Sequence, residues 1–244
     1  MGVLGNLLHG TSPRIHELVC AVRDGQFESM PPRRVHGEMA IHAALKPLLA
    51  GTRGGFFVEA GANDGFHRSN THYLEKWLGW TGLLIEAIPH RAVQCRENRP
   101  ASTTVHCALV GPDYADKSVE ITYFDAMSVL NAPGGALDSA EQGTRWRRFQ
   151  RRTDVADGMV FHAPARTLAQ VLDEFGNRPV DLLSLDVEGF ELEALKGLNL
   201  RVNRPRHILV EDWDQEGVGQ LLAGNGYGLA ARPTEKDALY VLNE

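Results

Sequence analysis

Short apolar runs alternate with amphipathic stretches along most of this chain. "GFFVEA" (55–60), "GLLIEA" (82–87) and "STTVHCAL" (102–109) predict three buried strands. Between them, residues 70–78 predict a helix with Tyr73, Leu74, Trp77 and Leu78 on one face, and "HRAVQCRENR" (90–99) predicts a second. An earlier helix is expected from about Gly37 to Leu49, behind a loosely patterned preface with turn signals at Pro13 and Pro31-Pro32. The rhythm breaks over residues 111–165. There "SVEITYF" (118–124) and "GMVFHAPA" (158–165) flank a Gly/Pro-rich loop (131–143) and the run "RWRRFQRR" (145–152). It then resumes. "TLAQVLDEF" (167–175) predicts a helix, "VDLLSLDVEG" (180–189) a strand entering a turn, and "ELEALKGL" (191–198) a helix. "RHILVEDW" (206–213) follows as a strand, "EGVGQLLAGN" (216–225) as a helix, and "YGLAA" with "ALYVLN" as a closing strand pair. Such alternation predicts a mostly parallel sheet with helices on both faces. The expected organisation is an N-terminal extension over 1–34 and one domain over 35–244, with an inserted loop or lid region around 111–165.

Composition narrows the class. With 244 residues, 43% of them hydrophobic, and a net charge of −6, the chain has ample material for a core and no overall basic field. Nucleic acid is therefore not expected as a partner. Cys20, Cys95 and Cys107 form neither a CxxC pair nor a disulfide framework, which suits a reducing compartment. The start "MGVLGNLLHG" lacks a charged region ahead of its apolar residues and a small-residue cleavage site, and Asn6 stands where a myristoylation site needs Ser or Thr. No apolar run approaches the roughly 20 residues of a membrane span. The expectation is a cytoplasmic protein, with the oligomeric state left open and a homodimer among the options.

In a sheet of this kind the ligand lies beyond the carboxyl ends of the strands, where strand order reverses. Those ends read "EAGANDG", "IEAIP", "HCAL", "LDVEG" and "VEDWD", and most carry acids. The turn in "FFVEAGANDGFHRSNTHYLEKW" (56–77) fails as a dinucleotide fingerprint, because Asn63 and Phe66 stand where the second and third glycines belong. It fails as a Walker A loop as well. What fits is an acidic residue with two glycines, Glu59, Gly61 and Gly65, and Asn63 between them. Glu59 and Asp64 would repel a pyrophosphate but suit an ammonium or sulfonium. S-adenosylmethionine carries both cations and two ribose hydroxyls, which Glu86 at the end of the second strand could accept.

These residues resemble the FkbM-type S-adenosylmethionine-dependent methyltransferases. The likeness rests on "FFVEAGANDGFHRSNTHYLEKWLGWTGLLIEAIP" (56–89), "TLAQVLDEF" and "DLLSLDVEGFELEALKGL" (181–198). It implies a Rossmann-like class I methyltransferase fold, α/β, with a seven-stranded mostly parallel sheet whose last strand is antiparallel. It also implies methylation of a hydroxyl on a sugar, an oligosaccharide or a related natural product. Upstream, "VHGEMAIHAAL" places His36 and His42 where the family often shows Gln and Asp around a Gly-Glu or Gly-Gln pair. The candidate cofactor residues are Glu59, Gly61, Asn63, Asp64, Gly65, Ser69, Asn70, Thr71 and Glu86. Cys107 and Ala108 are expected to border the adenine, and Ser69, Asn70 and Thr71 also to cap the helix that follows.

Methyl transfer to an alcohol needs in-line alignment and removal of the hydroxyl proton. Asp186 and Glu188 are the candidate catalytic bases, with His36, His67, His72 and His162 as further candidates that more often serve structure. Alternatively a magnesium ion held by Asp186, Glu211 and Asp212 would acidify the acceptor. The arginines Arg145, Arg147, Arg148, Arg151 and Arg152 around Trp146 and Phe149 read as a solvated helix face, or else as a lid or an anionic-carrier patch. Trp80, Trp146 and Trp213 read as core residues or as sugar-stacking platforms. Two other classes stay in view: a catalytically idle binding module and, less favoured, a nicotinamide oxidoreductase.

Overall fold

The computed structural model describes residues 36–49, 51–123, 129–130, 159–212 and 215–243. The chain divides into two compact units, 1–39 and 40–244, and all the described strands belong to the second. The extension over 1–34, the loop 131–143, the arginine run 145–152, and Trp146, Phe149 and Trp213 lie outside the described residues.

Seven strands form the main sheet: β1 (Phe56–Ala60), β2 (Thr81–Glu86), β3 (Thr103–His106), β8 (Leu182–Leu185), β9 (His207–Glu211), β10 (Tyr227–Ala231) and β11 (Asp237–Leu242). Their order is β10-β11-β9-β8-β1-β2-β3. The pairs β1/β2, β1/β8, β2/β3 and β8/β9 are parallel, and β11 runs antiparallel to both of its neighbours. This is the expected mostly parallel sheet with an antiparallel last strand. The chain leaves β1 toward β2 and β3, then returns to the other side of β1 as β8. The point where strand order reverses is therefore the seam between β1 and β8.

Both faces of β1 are apolar because both are covered. Phe56, Val58 and Ala60 join Leu83, Ile85, Leu183 and Leu185 in one core. Against it pack α4 (Leu168–Glu174), α5 (Glu191–Lys196) and α6 (Gln215–Gly224), through Leu168, Val171, Ala194, Leu195, Val218 and Leu222. Phe57 points the other way, with Leu84, Leu182 and Leu209, toward α1 (His36–Leu49), α2 (His72–Leu78) and α3 (Pro89–Asn98). Ile41, Leu45, Leu49, Leu74 and Cys95 supply the helical side, and Trp80 is buried there with its indole N–H donated to the Thr52 carbonyl at 2.8 Å. Each fully enclosed Leu of this kind stabilises the fold by roughly 1.5–3 kcal/mol. α4 starts at a capping box: Thr167 Oγ1 accepts the Gln170 amide while the Gln170 side chain accepts the Thr167 amide.

Two predicted elements differ from the observed ones. The predicted third strand, 102–109, is two strands, because after Cys107 the chain leaves β2 and begins β4 (Ala108–Leu109), which pairs with β7 (Met159–Arg166). β7 continues antiparallel to β5 (Ser118–Tyr123), and β5 to β6 (Val129–Leu130), giving a second sheet of order β4-β7-β5-β6. The described part of the region where the helical rhythm failed is thus built of strands. The second difference is α2, which begins at His72 and not at residue 70, since Ser69–Thr71 make hydrogen bonds to Glu59 instead.

Gly61 lies in the left-handed region, φ +79°, where β1 meets β8. A Cβ there would sit 1.7 Å from the Asp186 carbonyl oxygen, a backbone atom that cannot move aside. Gly79, φ +68°, ends α2 with nothing within 4 Å of its would-be Cβ. Gly79→Ala is expected to cost about 1 kcal/mol, backbone strain alone. Gly61→Ala is expected to cost upwards of about 4 kcal/mol or to fail to fold. Urea denaturation of both variants checks this; equal losses would mean that the two strand ends do not touch.

Candidate active site

The loop from Gly61 to Thr71 is shaped by two carboxylates below it. Glu59, at the end of β1, is 4% exposed. One of its oxygens accepts the Asn70 amide at 2.7 Å, and the other accepts the hydroxyls of Ser69 at 2.8 Å and Thr71 at 2.6 Å. Asp64 accepts the amides of Phe66 and His67 at 3.0 and 2.8 Å and binds the His67 ring at 2.5 Å. Burial alone would raise the Asp64 carboxyl, but these hydrogen bonds outweigh it and hold the group below its ordinary value. Asn63 and Arg68 stand in the left-handed region, φ 51° and 59°, on either side of this turn.

Of Ser69, Asn70 and Thr71, the three expected caps of α2, only Ser69 serves in that way, its hydroxyl accepting the His72 amide at 3.0 Å. Thr71 at the cap position makes no side-chain cap bond, and the Asn70 side chain donates to Ser184 Oγ on β8 at 3.1 Å.

Glu86 ends β2 almost enclosed, 7% exposed. Its two oxygens accept the amides of Asn63 at 2.7 Å and Ile88 at 2.8 Å, so the turn after β1 is fastened to the end of β2. Burial pushes this carboxyl up to about 7, against the opposing pull of the amide hydrogen bonds and Arg91. Cys107 lies in the core between β3 and β4, its thiol pushed up to about 12 by burial, and Ala108 is buried against the second sheet.

Across the β1/β8 seam stands a group of acids. Single carboxylate oxygens of Asp186, Glu188 and Glu211 lie within 4.8 Å of one another. Asp186 follows β8 directly, its amide donated to the Ala60 carbonyl at 3.1 Å, so it stands beside Gly61. Glu188 is left-handed, φ 55°, and the turn it occupies is held by Glu191 of α5, whose Oε1 accepts the amides of Val187 and Gly189 at 2.9 and 3.1 Å. The Asp186 carboxyl is raised well above its ordinary value by the protein around it and by the carboxylates of Glu211, Glu188 and Glu191. Since solvent reaches this side chain, the like charges sustain most of that rise. Burial, then neighbouring acids, push Glu188 up to about 8. Glu191 is pushed up to about 8 by burial.

Asp212 stands apart from this group in its ion pair with Arg232, 3.3 Å, and Glu211 also meets Lys236 at 3.1 Å. Of the histidines, His67 is held by Asp64, and His72 stacks edge-on with Phe66 at 5.0 Å. His162 lies on β7 opposite Glu120, and His36 opens α1.

Sequence reasoning missed Arg99, which lies under the 61–71 loop with 0% exposure. Its signal was present: Ala92 and Cys95 are the buried positions of α3, and Arg99 extends that same stripe one turn on. Lys236 and Arg232, which flank the acids from the β10–β11 turn, carried no such signal. Glu191 was passed over because an acid in the first turn of a helix is ordinary.

The family profile described as "Methyltransferase FkbM domain" matches residues 59–227. No curated protein matches the chain. Among solved structures, the O-methyltransferase from Bacillus cereus in complex with SAH is similar at 15% identity, TM-score 0.47, over 98% of this chain and 95% of that one. The human methyltransferase 10 domain containing protein is similar at 12% identity, TM-score 0.46, over 93% of each. The precorrin-6y C5,15-methyltransferase from Geobacter metallireducens is similar at 10% identity, TM-score 0.44, over 91% and 96%.

The raised Glu86 carboxyl has a consequence for stability. Its folded value of about 7 lies above the ordinary 4.5, so the folded protein binds a proton in a pH range where the unfolded chain does not. That contribution is complete below pH 4.5 and is lost as pH rises through about 7. The urea midpoint of the wild type is therefore expected to fall across this window more steeply than that of Glu86→Gln. Parallel curves would show that Glu86 does not titrate in this way.

Proposed function

The chain belongs to the methyltransferase FkbM domain family, and on that premise we propose that it is an S-adenosylmethionine-dependent O-methyltransferase. Its acceptor is a hydroxyl of a sugar, an oligosaccharide or a related natural product. The observation that carries this reading is the β1/β8 seam, where the turn after β1 stands beside Asp186 and the acids Glu188 and Glu211 grouped with it.

The donor set fits the cofactor. The turn itself, Gly61–Gly65, carries no lysine or arginine to meet a pyrophosphate, and the loop's arginine, Arg68, comes only after it. The first helix after the turn begins only at His72, so its N-terminus is not at the turn as a dinucleotide site requires. Glu86 accepts amides on both oxygens, and the acceptor capacity that remains would meet the ribose hydroxyls. Gly61, Asn63, Asp64 and Gly65 would line the cofactor by backbone, Ser69 and Asn70 would close one end with the fully buried Thr71 beneath them, and Cys107 and Ala108 would border the adenine. When bound, S-adenosylmethionine supplies an electrophilic methyl group.

The protein's own part is alignment and proton removal. Asp186 stands nearest the seam and is the proposed base for the acceptor hydroxyl, with Glu188 beside it to take up or share the proton. A second reading uses the same acids differently: Asp186 and Glu211, with Glu188 closing the group, would hold magnesium, and the ion would acidify the alcohol. Asp212, bound by Arg232, would then act from outside that group.

Isothermal titration is expected to show micromolar binding of S-adenosylmethionine and S-adenosylhomocysteine, weakened in Glu86→Gln, and no binding of NAD. Lack of binding by the wild type would remove the cofactor reading. With a glycoside acceptor in hand, Asp186→Asn should lower kcat by about 10²–10⁴-fold and leave S-adenosylhomocysteine affinity within about threefold. Unchanged turnover would rule out Asp186 as the base, and no turnover by any enzyme form would favour an idle binding module. Activity lost in EDTA and restored by magnesium selects the metal reading; full activity in chelator eliminates it.

A further inference from the structure

Arg99 ends α3 and reaches under the loop that precedes α2. Its Nε donates to Glu75 Oε2 at 2.9 Å, Nη1 to the Gly65 carbonyl at 3.0 Å and to Ser69 Oγ at 3.1 Å, and Nη2 to Thr71 Oγ1 at 3.1 Å. Glu59 Oε2 lies 3.7 Å from Nη1 as its buried counter-ion, and the guanidinium carbon sits 5.2 Å from the centre of the Phe57 ring. One planar fork thereby joins β1, both ends of the loop and α2. We propose that Arg99 is a positioning residue for cofactor binding, and that Glu59 is the counter-ion of this clamp and not itself a ligand of the cofactor. This rests on the cofactor reading of the proposed function.

Three observations support it. Arg99 has no exposed surface, so whatever it contributes to a ligand passes through the loop. Glu59 is 4% exposed, its Oε2 accepts two hydroxyls beside the Arg99 guanidinium and its Oε1 accepts the Asn70 amide, so the carboxylate offers little accessible surface to an incoming ammonium. The loop also carries two left-handed non-glycine residues, Asn63 and Arg68, on either side of the Gly65 carbonyl that Arg99 grips. Such a backbone persists only where its surroundings hold it, and it would relax if the grip were lost. A lysine would keep the charge beside Glu59 but cannot reach a carboxylate, a carbonyl and two hydroxyls from one ammonium.

The test is titration of S-adenosylhomocysteine into Arg99→Lys, Thr71→Val and Leu222→Ala, each first shown to be folded by circular dichroism and urea denaturation. Thr71→Val removes the hydroxyl between Arg99 and Glu59 and decides the matter if Arg99→Lys does not fold. Leu222→Ala opens a cavity on the opposite face of the sheet and controls for lost stability. Arg99→Lys and Thr71→Val are expected to raise Kd about tenfold or more, the loss of one or two charge-assisted hydrogen bonds that order the loop. Leu222→Ala is expected to bind as the wild type does. Wild-type affinity in both folded loop variants would overturn the proposal, and so would an equal loss in Leu222→Ala, which would reduce the effect to general destabilisation. A wild type that binds neither S-adenosylhomocysteine nor S-adenosylmethionine would overturn the cofactor reading and this proposal with it.

Discussion

A buried ionic group, Arg99 between Glu75 at 2.9 Å and Glu59 at 3.7 Å, is the constraint on which the loop after β1 depends. Neither Arg99 nor Glu59 is tolerable alone where it stands, because an ion stripped of water needs a counter-charge and a full set of hydrogen bonds. Here the ions supply one another's counter-charge, and residues 65–71 supply the hydrogen bonds through an amide, a carbonyl and two hydroxyls. Breaking a pair of this kind costs about 3–5 kcal/mol in proteins generally, most of it the penalty of the charge left behind. The loop is therefore ordered from beneath. What the loop exposes to solvent is Gly61, His67 and Arg68.

The other side of the β1/β8 seam is built on the reverse principle. Asp186, Glu188, Glu191 and Glu211 crowd the ends of β8 and β9, and their mutual repulsion with burial drives the first three toward the protonated form. The cations at hand act at the edge: Lys236 meets Glu211, and Arg68 and Lys236 lower Glu188 only in part. Carboxylates held together without full compensation have a free energy that drops when a proton, a hydroxyl donor or a divalent ion arrives. Folding tolerates this because Glu191 also fastens the 187–189 turn and α5 is anchored by Ala194 and Leu195 in the main core.

The second sheet packs beside the carboxyl ends of the large one. Val119, Ile121, Leu130 and Ala163 pack with Ile88, Ala108, Val110 and Phe190. Those last four lie just past β2, around β4 and at the start of α5, so the small sheet is seated on the carboxyl-end side of the large one. Cys107 is the hinge of this arrangement, a single residue between a strand that pairs with β2 and a strand that pairs with β7.

Much of the fold was legible in the chain because burial on both faces leaves a plain signature: continuous apolar runs for strands and one-sided stripes for helices. Strand positions, the parallel majority and the acids at the carboxyl ends follow from that local pattern, while the antiparallel end was implied by the family resemblance. The loop was legible only as a list of residue types. "EAGANDG" announces a tight acidic turn, but whether Glu59 faces a ligand or an arginine far along the chain, Arg99, cannot be read from neighbours in sequence. Likewise Asp212 and Glu211 are adjacent in the chain, yet the alternation of a strand end sends one to Arg232 and the other to Asp186 and Lys236. The sequence by itself determined which segments are strands or helices and which are buried, since these depend on periodicity and hydrophobicity summed over a few residues. The tertiary structure alone decided which charges meet, because Coulomb and hydrogen-bond energies depend on distances of a few ångströms between groups that the chain keeps far apart.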